Sequence, residues 1–227
     1  RPEQLANSHT PRADASDTLG HERFLQAALD EDIIDLVASV LGEHLVMWGC
    51  QLFCKPGTDG REVPMHQDGQ YWPIRPLATC TVWLALDQVD RDNGCMVVVP
   101  GSHRDKVHYG HRTETRSDLV LNQAVDDPRL NATHKHYLEL APGQMSLHDV
   151  YLVHGSAANR SGRRRAGLAT RYMPTTSCLR RDLEVPFAGY PVNWAEKPLW
   201  LVRGEDVCGR NNFDIGHQHA HERATRR

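Results

Sequence analysis

The chain has 227 residues, of which 40% are hydrophobic and 24% charged, with a net charge of −3. That is enough apolar content for one domain with a sizeable core, while the charge leaves no basic field to hold a nucleic-acid backbone. No apolar run is long enough for a membrane helix, and six cysteines without a Cys-x-x-Cys pair or a signal peptide predict reduced thiols in the cytoplasm.

A single domain over 1–227 is expected, with polar ends at 1–20 and 216–227. The start at Arg1, without an initiator Met, points to further N-terminal sequence. Over 23–41, Phe24, Leu25, Ala28, Leu29, Ile33, Ile34, Val37 and Leu41 recur at helical spacing and Gly42 supplies a stop. These predict packing helices without a chemical role. Residues 45–55 read as a strand, followed by the loop Pro56-Gly57-Thr58-Asp59-Gly60 and a strand that holds His66. Residues 79–86 are rich in β-formers, and Asn93-Gly94 signals a hairpin turn before a strand at 95–99. The stretch 107–135 is polar without a clean period and reads as a long insertion. Strands at 137–140, 144–148, 151–154 and 167–173 follow, with no internal repeat and no linker.

The chemistry concentrates in His66-Gln67-Asp68. A strand would point the imidazole and the carboxylate to the same face. His154, in the run His154-Gly155-Ser156-Ala157-Ala158-Asn159-Arg160-Ser161, supplies a second imidazole, and Arg165 follows. Two His and one carboxylate are the donor set of a non-heme Fe(II) oxygenase, which keeps open positions on the ion for a chelating co-substrate and O2. With 14 His in the chain, about one chance His-x-Asp is expected. His103-Arg104-Asp105 is such a pair, but it follows the turn Pro100-Gly101-Ser102 and reads as a solvated loop. Pro64, Met65 and Tyr71-Trp72-Pro73-Ile74 instead give His66 and Asp68 apolar neighbours able to exclude water.

In order along the chain, His66-Gln67-Asp68-Gly69-Gln70-Tyr71-Trp72-Pro73-Ile74-Arg75-Pro76, Val82-Trp83-Leu84-Ala85-Leu86, Asn93-Gly94-Cys95-Met96-Val97-Val98-Val99-Pro100-Gly101-Ser102-His103 and the His154 run ending at Arg165 resemble the phytanoyl-CoA hydroxylase family of Fe(II)/2-oxoglutarate dioxygenases. The resemblance implies a mainly β fold, a double-stranded β-helix (a cupin-like jelly roll) with flanking helices, in which the insertion covers the barrel mouth. It implies Fe(II) on His66, Asp68 and His154, and 2-oxoglutarate as co-substrate. Arg165 matches the family arginine in its offset from His154, and its planar guanidinium suits the far carboxylate of 2-oxoglutarate. Ser156 is placed to donate a hydroxyl to the same carboxylate. Trp83 and Gln51 correspond by motif position to co-substrate contacts, and Lys55 shares the face of Gln51 or reaches solvent. The carboxylate of Asp68 favours hydroxylation over halogenation, since related halogenases lack it.

The bland alternatives stay open at several positions. Arg163, Arg164 and Arg165 also read as a solvated run, His148 as a buried histidine supporting the metal ligands on their own strand face, and His217-Gln218-His219-Ala220-His221 as an exposed tail. Trp72, Trp83, Trp194 and Trp200 equally suit a plain core. Arg165 and Arg171 repeat the paired-arginine spacing of nucleic-acid demethylases, but the first lies too close to His154 for that family and the chain lacks basic charge. A non-catalytic cupin-like metal-binding or sensor protein would keep the same triad. For an oxygenase, Gln70, Tyr71 and Arg75, with Arg180 and Arg181 behind them, predict a small polar substrate such as an amino acid or aminophosphonate, with a larger natural product or an acyl thioester as the alternative; the arginines equally read as solvated surface.

Overall fold

The structure, a computed structural model, describes residues 4–5, 22–130, 133–185 and 192–215. Two helices, α1 (Glu22–Ala28) and α2 (Glu31–Leu41), precede the main β structure. The predicted helical stretch thus breaks once, where Asp30 caps α2 by accepting from the backbone N–H groups of Asp32 and Ile33. Gly42 ends α2 at φ 93°, a conformation that glycine adopts freely.

The strands are β1 (Gln4–Leu5), β2 (Leu45–Lys55), β3 (Val63–His66), β4 (Ile74–Arg75), β5 (Cys80–Ala85), β6 (Met96–Val98), β7 (His111–Thr113), β8 (Gln123–Val125), β9 (His136–Leu138), β10 (Met145–Asp149), β11 (His154–Ser156), β12 (Arg165–Pro174), β13 (Cys178–Leu179) and β14 (Trp200–Arg203). The larger sheet runs β1-β2-β12-β5-β10, with β14 also on β2, and the smaller runs β3-β11-β6-β9. All their pairings are antiparallel. This is the mainly β, double-stranded β-helix architecture that the motif order implied.

Side-chain alternation gives the larger sheet two unlike faces. Ile34, Val37, Met47, Val82 and Tyr172 form one core between the sheet and the helices, and the Tyr172 hydroxyl donates to the Ala28 carbonyl at 2.6 Å. The opposite face carries Arg165, Gly167, Ala169 and Arg171 of β12 toward the smaller sheet. The β12–β2 register shifts between Arg171 and Tyr172. Beyond that bulge, Val46, Trp48 and Met173 join a second core with Trp72 and Ile74.

Three expectations change. Asn93-Gly94 does form a turn, held by Asn93 accepting from the Asp90 N–H and donating to the Gln88 carbonyl, with Gly94 at φ 81°. It joins β5 and β6, however, which lie in different sheets, so it is a crossover and not a hairpin. The strand expected at 151–154 begins only at His154, because Leu152 closes a turn onto Asp149. The 107–135 insertion contains a small ribbon, β7 with β8, and places Val120 and Leu121 on the wall of the central cavity. Of the expected polar ends, residues 4–5 pair with β2; the remainder, including the histidine-rich tail, lies outside the described residues.

Candidate metal and co-substrate site

His66 closes β3 and His154 opens β11, and the two are register partners across that ladder. The ring Nδ1 of His66 lies 2.8 Å from the Pro64 carbonyl, and that of His154 lies 3.0 Å from the Leu152 carbonyl. A carbonyl only accepts, so each neutral ring carries its proton on Nδ1 and turns the Nε2 lone pair into the cavity. The strand ends at His66, yet Gln67 remains extended and Asp68 opens a short 3-10 turn, Asp68–Gln70. The carboxylate therefore still faces His66, with Oδ1 3.4 Å from Nε2. One ligand atom from each of His66, Asp68 and His154 lies within 4.8 Å of the other two, and all three residues are buried. Two inward imidazole lone pairs and a carboxylate meeting at one point fit a first-row divalent ion of the Fe(II) type.

Local electrostatics keep Asp68 and His154 deprotonated. Burial opposes the charge of Asp68, but the rings of His148, His66 and His154 around it outweigh that and hold the carboxyl well below its ordinary range. Burial, reinforced by the neighbouring His66, lowers His154 to about 3. His148 reaches the same place from β10, with Nε2 3.8 Å from Asp68 Oδ2 and its ring 4.8 Å from that of His154. It does not share a strand face with His154, since a turn separates β10 from β11; the two rings meet across the cavity from different sheets.

Gln67, between the ligands, points the opposite way. Its Nε2 donates to the Val107 and Tyr151 carbonyls at 2.9 and 2.7 Å, and its Oε1 accepts from the Tyr109 N–H at 2.8 Å. The residue ties the long insertion to the metal-ligand segment. The only sequence signal for this was strand alternation, which turns a residue between two inward ligands outward.

The arginine run divides where β12 begins, at Arg165, and by partners. Arg163 and Arg164 are exposed and paired with Asp90 and Asp87. Arg165 is only 5% exposed, lines the cavity, and donates through Nε and Nη2 to the Gly94 carbonyl at 3.1 and 2.6 Å. Its guanidinium lies 5.3 Å from the centre of the Trp83 ring, and among the described residues it has no carboxylate partner. Burial lowers its pKa to about 10, which leaves it cationic at neutral pH. Gly167 makes room for this contact: a Cβ there would come within 2.1 Å of the Trp83 ring. Lys55 does not reach solvent. It is buried and donates to the Ser156 and Ala157 carbonyls at 3.2 and 2.5 Å, bracing β11 where Ser156 faces the cavity.

The other sequence candidates divide. Tyr71 lines the cavity with Trp72 and Trp83. Gln51 is buried and accepts from Arg171 Nη1. Gln70 turns away to donate to Gln123, and Arg75 is exposed and spent on the Trp72 and Ile74 carbonyls, so neither lines the cavity. Arg180 pairs with Asp182, and Arg181 binds the Trp194, Ala195 and Asn212 carbonyls. The second cavity cation is Arg171, whose relevance was visible only as a spacing to Arg165. The whole cavity, mouth included, encloses about 770 Å3.

A buried two-His, one-carboxylate site inside a double-stranded β-helix, with a cation set apart from it, defines the class of non-heme iron, 2-oxoglutarate-dependent oxygenases. The chain belongs to the phytanoyl-CoA dioxygenase (PhyH) family, whose model matches residues 5–167. It is 31% identical over 210 residues to a probable phytanoyl-CoA dioxygenase of Caenorhabditis elegans, covering 79% of this chain and 67% of the relative. It is 33% identical over 144 residues to a probable alpha-ketoglutarate-dependent hypophosphite dioxygenase of Stutzerimonas stutzeri, covering 63% of this chain and 50% of the relative. The chain thus spans between half and two-thirds of these relatives' lengths. Among solved structures it resembles the non-heme monooxygenase ThoJ (TM-score 0.60, 25% identity, 80% of this chain and 62% of that one). It shares its fold with the epimerase SnoN in complex with Fe3+, alpha ketoglutarate and nogalamycin RO (TM-score 0.64, 22% identity, 88% and 78% covered).

Proposed function

We propose that the protein is an Fe(II)- and 2-oxoglutarate-dependent hydroxylase of a C–H bond in a small polar metabolite. The observation that carries this is a buried guanidinium without a carboxylate partner among the described residues, Arg165, in the same cavity as the inward-facing triad. A bound Fe(II), with O2 and 2-oxoglutarate, would supply the oxidising power, with succinate and CO2 as the co-products. His66, Asp68 and His154 would hold the ion, with the Nδ1 bonds of the two histidines and the Gln67 tether fixing their directions. Arg165, flanked by Trp83 and Ser156, takes the far carboxylate of the co-substrate in a dry site where one charge-assisted pair is strong. Tyr71, Trp72, Val120 and Leu121 keep bulk water from the reacting end.

A small substrate is supported by the relative named for hypophosphite and by the polar atoms on the cavity wall. No helix among the described residues is long and apolar enough to cross a membrane, and six free cysteines suit a reducing compartment such as the cytoplasm. The test is a screen of amino acids, phosphonates, quaternary amines, acyl thioesters and larger natural products for stimulation of 2-oxoglutarate turnover. Stimulation by a small polar acid is expected; stimulation confined to acyl thioesters or large polycyclic compounds would overturn the substrate assignment.

A further inference from the structure

Arg171, Thr81 and His148 form a cross-strand row on the cavity face. Arg171 of β12 is the register partner of Thr81 on β5, and Thr81 is the partner of His148 on β10. Directly opposed residues in antiparallel strands project to the same side, and all three line the cavity. Their exposures are 7%, 2% and 5%. Each leaves one buried polar atom without a hydrogen-bond partner: Arg171 Nε, Thr81 Oγ1 and His148 Nδ1. Buried polar atoms are nearly always satisfied in folded proteins, so three in one row on a cavity wall mark a place that a ligand completes.

The chemistry of the row is specific. Arg171 has no carboxylate partner among the described residues; its Nη1 donates to Gln51 and its guanidinium is walled by Trp48, Phe53 and Trp72, 5.7, 5.8 and 5.2 Å from their ring centres. That arrangement presents an N–H and a positive charge to an anion. The unpartnered Thr81 hydroxyl beside it has a proton free to donate. His148 turns Nε2 toward Asp68, and with the proton on that nitrogen its Nδ1 would present a lone pair to a substrate N–H. Arg165 lies six residues along the same strand, about 20 Å away between Cα atoms at the usual strand rise, so the two cations mark opposite ends of the cavity.

We propose that this row is the substrate-binding ledge: Arg171 and Thr81 take the acidic group of the substrate, and His148 Nδ1 accepts from its ammonium. The ligand is then a compact zwitterion, an amino acid or an aminophosphonate. This rests on the oxygenase reading, in which Arg165 already holds the co-substrate.

The test measures binding without turnover, on the full chain loaded with Mn(II) and saturating 2-oxoglutarate, through the fluorescence of the tryptophans around Arg171. The probes are 2-aminoethylphosphonate, β-alanine and propionate. Saturable binding of at least one zwitterion is expected, and the stronger of the two separates phosphonate from carboxylate recognition. Arg171→Met should weaken it about tenfold or more and the isosteric Thr81→Val several-fold, each a lost hydrogen bond to a charged group. Thermal melts confirm that each variant folds, and Thr81→Val carries the test should Arg171→Met fail to do so. His148→Leu should narrow the preference for β-alanine over propionate, a ratio that a merely structural role would not move. Binding of 2-oxoglutarate without any zwitterion, or loss of 2-oxoglutarate instead of probe affinity in Arg171→Met, overturns the ledge and leaves the oxygenase reading intact. Failure of 2-oxoglutarate itself to bind would instead sink that reading.

Discussion

His66 and His154, far apart in sequence, face each other as register partners across the β3–β11 ladder with ring centroids 4.3 Å apart. Each ring is held in its direction through Nδ1 by a carbonyl two residues before it in its own chain segment. Asp68 completes the donor set from the adjoining turn. Asp68→Ala is expected to keep the fold, judged by circular dichroism, and to lose divalent-metal affinity by at least about a hundredfold, beyond what losses around the ligands cost. Equilibrium titration with Mn(II) checks this, and wild-type affinity in the variant would remove Asp68 from the site.

The acid sensitivity of the metal-free protein follows from His154. Its folded-state pKa, about 3, lies below its ordinary 6.5. Between those values the unfolded chain binds a proton at this position that the folded chain does not, so stability rises with pH across the window and falls as the pH is lowered. The expected slope approaches about 1.4 kcal/mol per pH unit for one proton. Urea unfolding of wild type and His154→Gln between pH 7 and pH 4 should show the wild type losing ground to the variant. A constant gap would contradict the burial of a neutral ring.

Arg165→Lys keeps the charge and loses the planar fork. The apparent KM for 2-oxoglutarate should rise about tenfold or more, the cost of one charge-assisted bond, with little effect on metal affinity. Arg164→Lys alters only an exposed pair with Asp87, and such pairs contribute little, so its KM should stay near that of wild type. The reverse pattern would assign the co-substrate to the wrong arginine.

Gly167→Ala tests the support beneath Arg165. The added Cβ would overlap the Trp83 ring, and moving that ring displaces the face over which the guanidinium lies. Reduced thermal stability together with a raised KM for 2-oxoglutarate is expected, by analogy with the usual penalty of about 1–3 kcal/mol for overpacking a core. Loss of stability with an unchanged KM would show that Trp83 only fills space.

Local signals were legible in the chain. The apolar run at 45–55 marked β2 residue for residue, the Gly42 stop ended α2, and the donor chemistry of His66, Asp68 and His154 was readable because residue types, not contacts, define it. What escaped depends on which sheet a segment joins. Asn93-Gly94 makes the same local turn in a hairpin and in a crossover. His148 and His154 share a face on an unbroken strand, but here a turn carries them to opposing walls. Arg75, Arg180 and Arg171 are indistinguishable as sequence, and only the β12 register and its bulge decide that Arg171 turns inward while Arg75 binds nearby carbonyls and Arg180 pairs with Asp182.

The central claim is that this cavity oxidises 2-oxoglutarate. The most direct measurement is succinate formed by the purified chain given Fe(II), O2 and 2-oxoglutarate, beside Asp68→Ala under the same conditions. Succinate that requires the metal and disappears in the variant is the predicted result. A wild-type protein that binds both Fe(II) and 2-oxoglutarate yet forms no succinate, even with the substrate panel present, would contradict the account and identify a metal-binding protein instead.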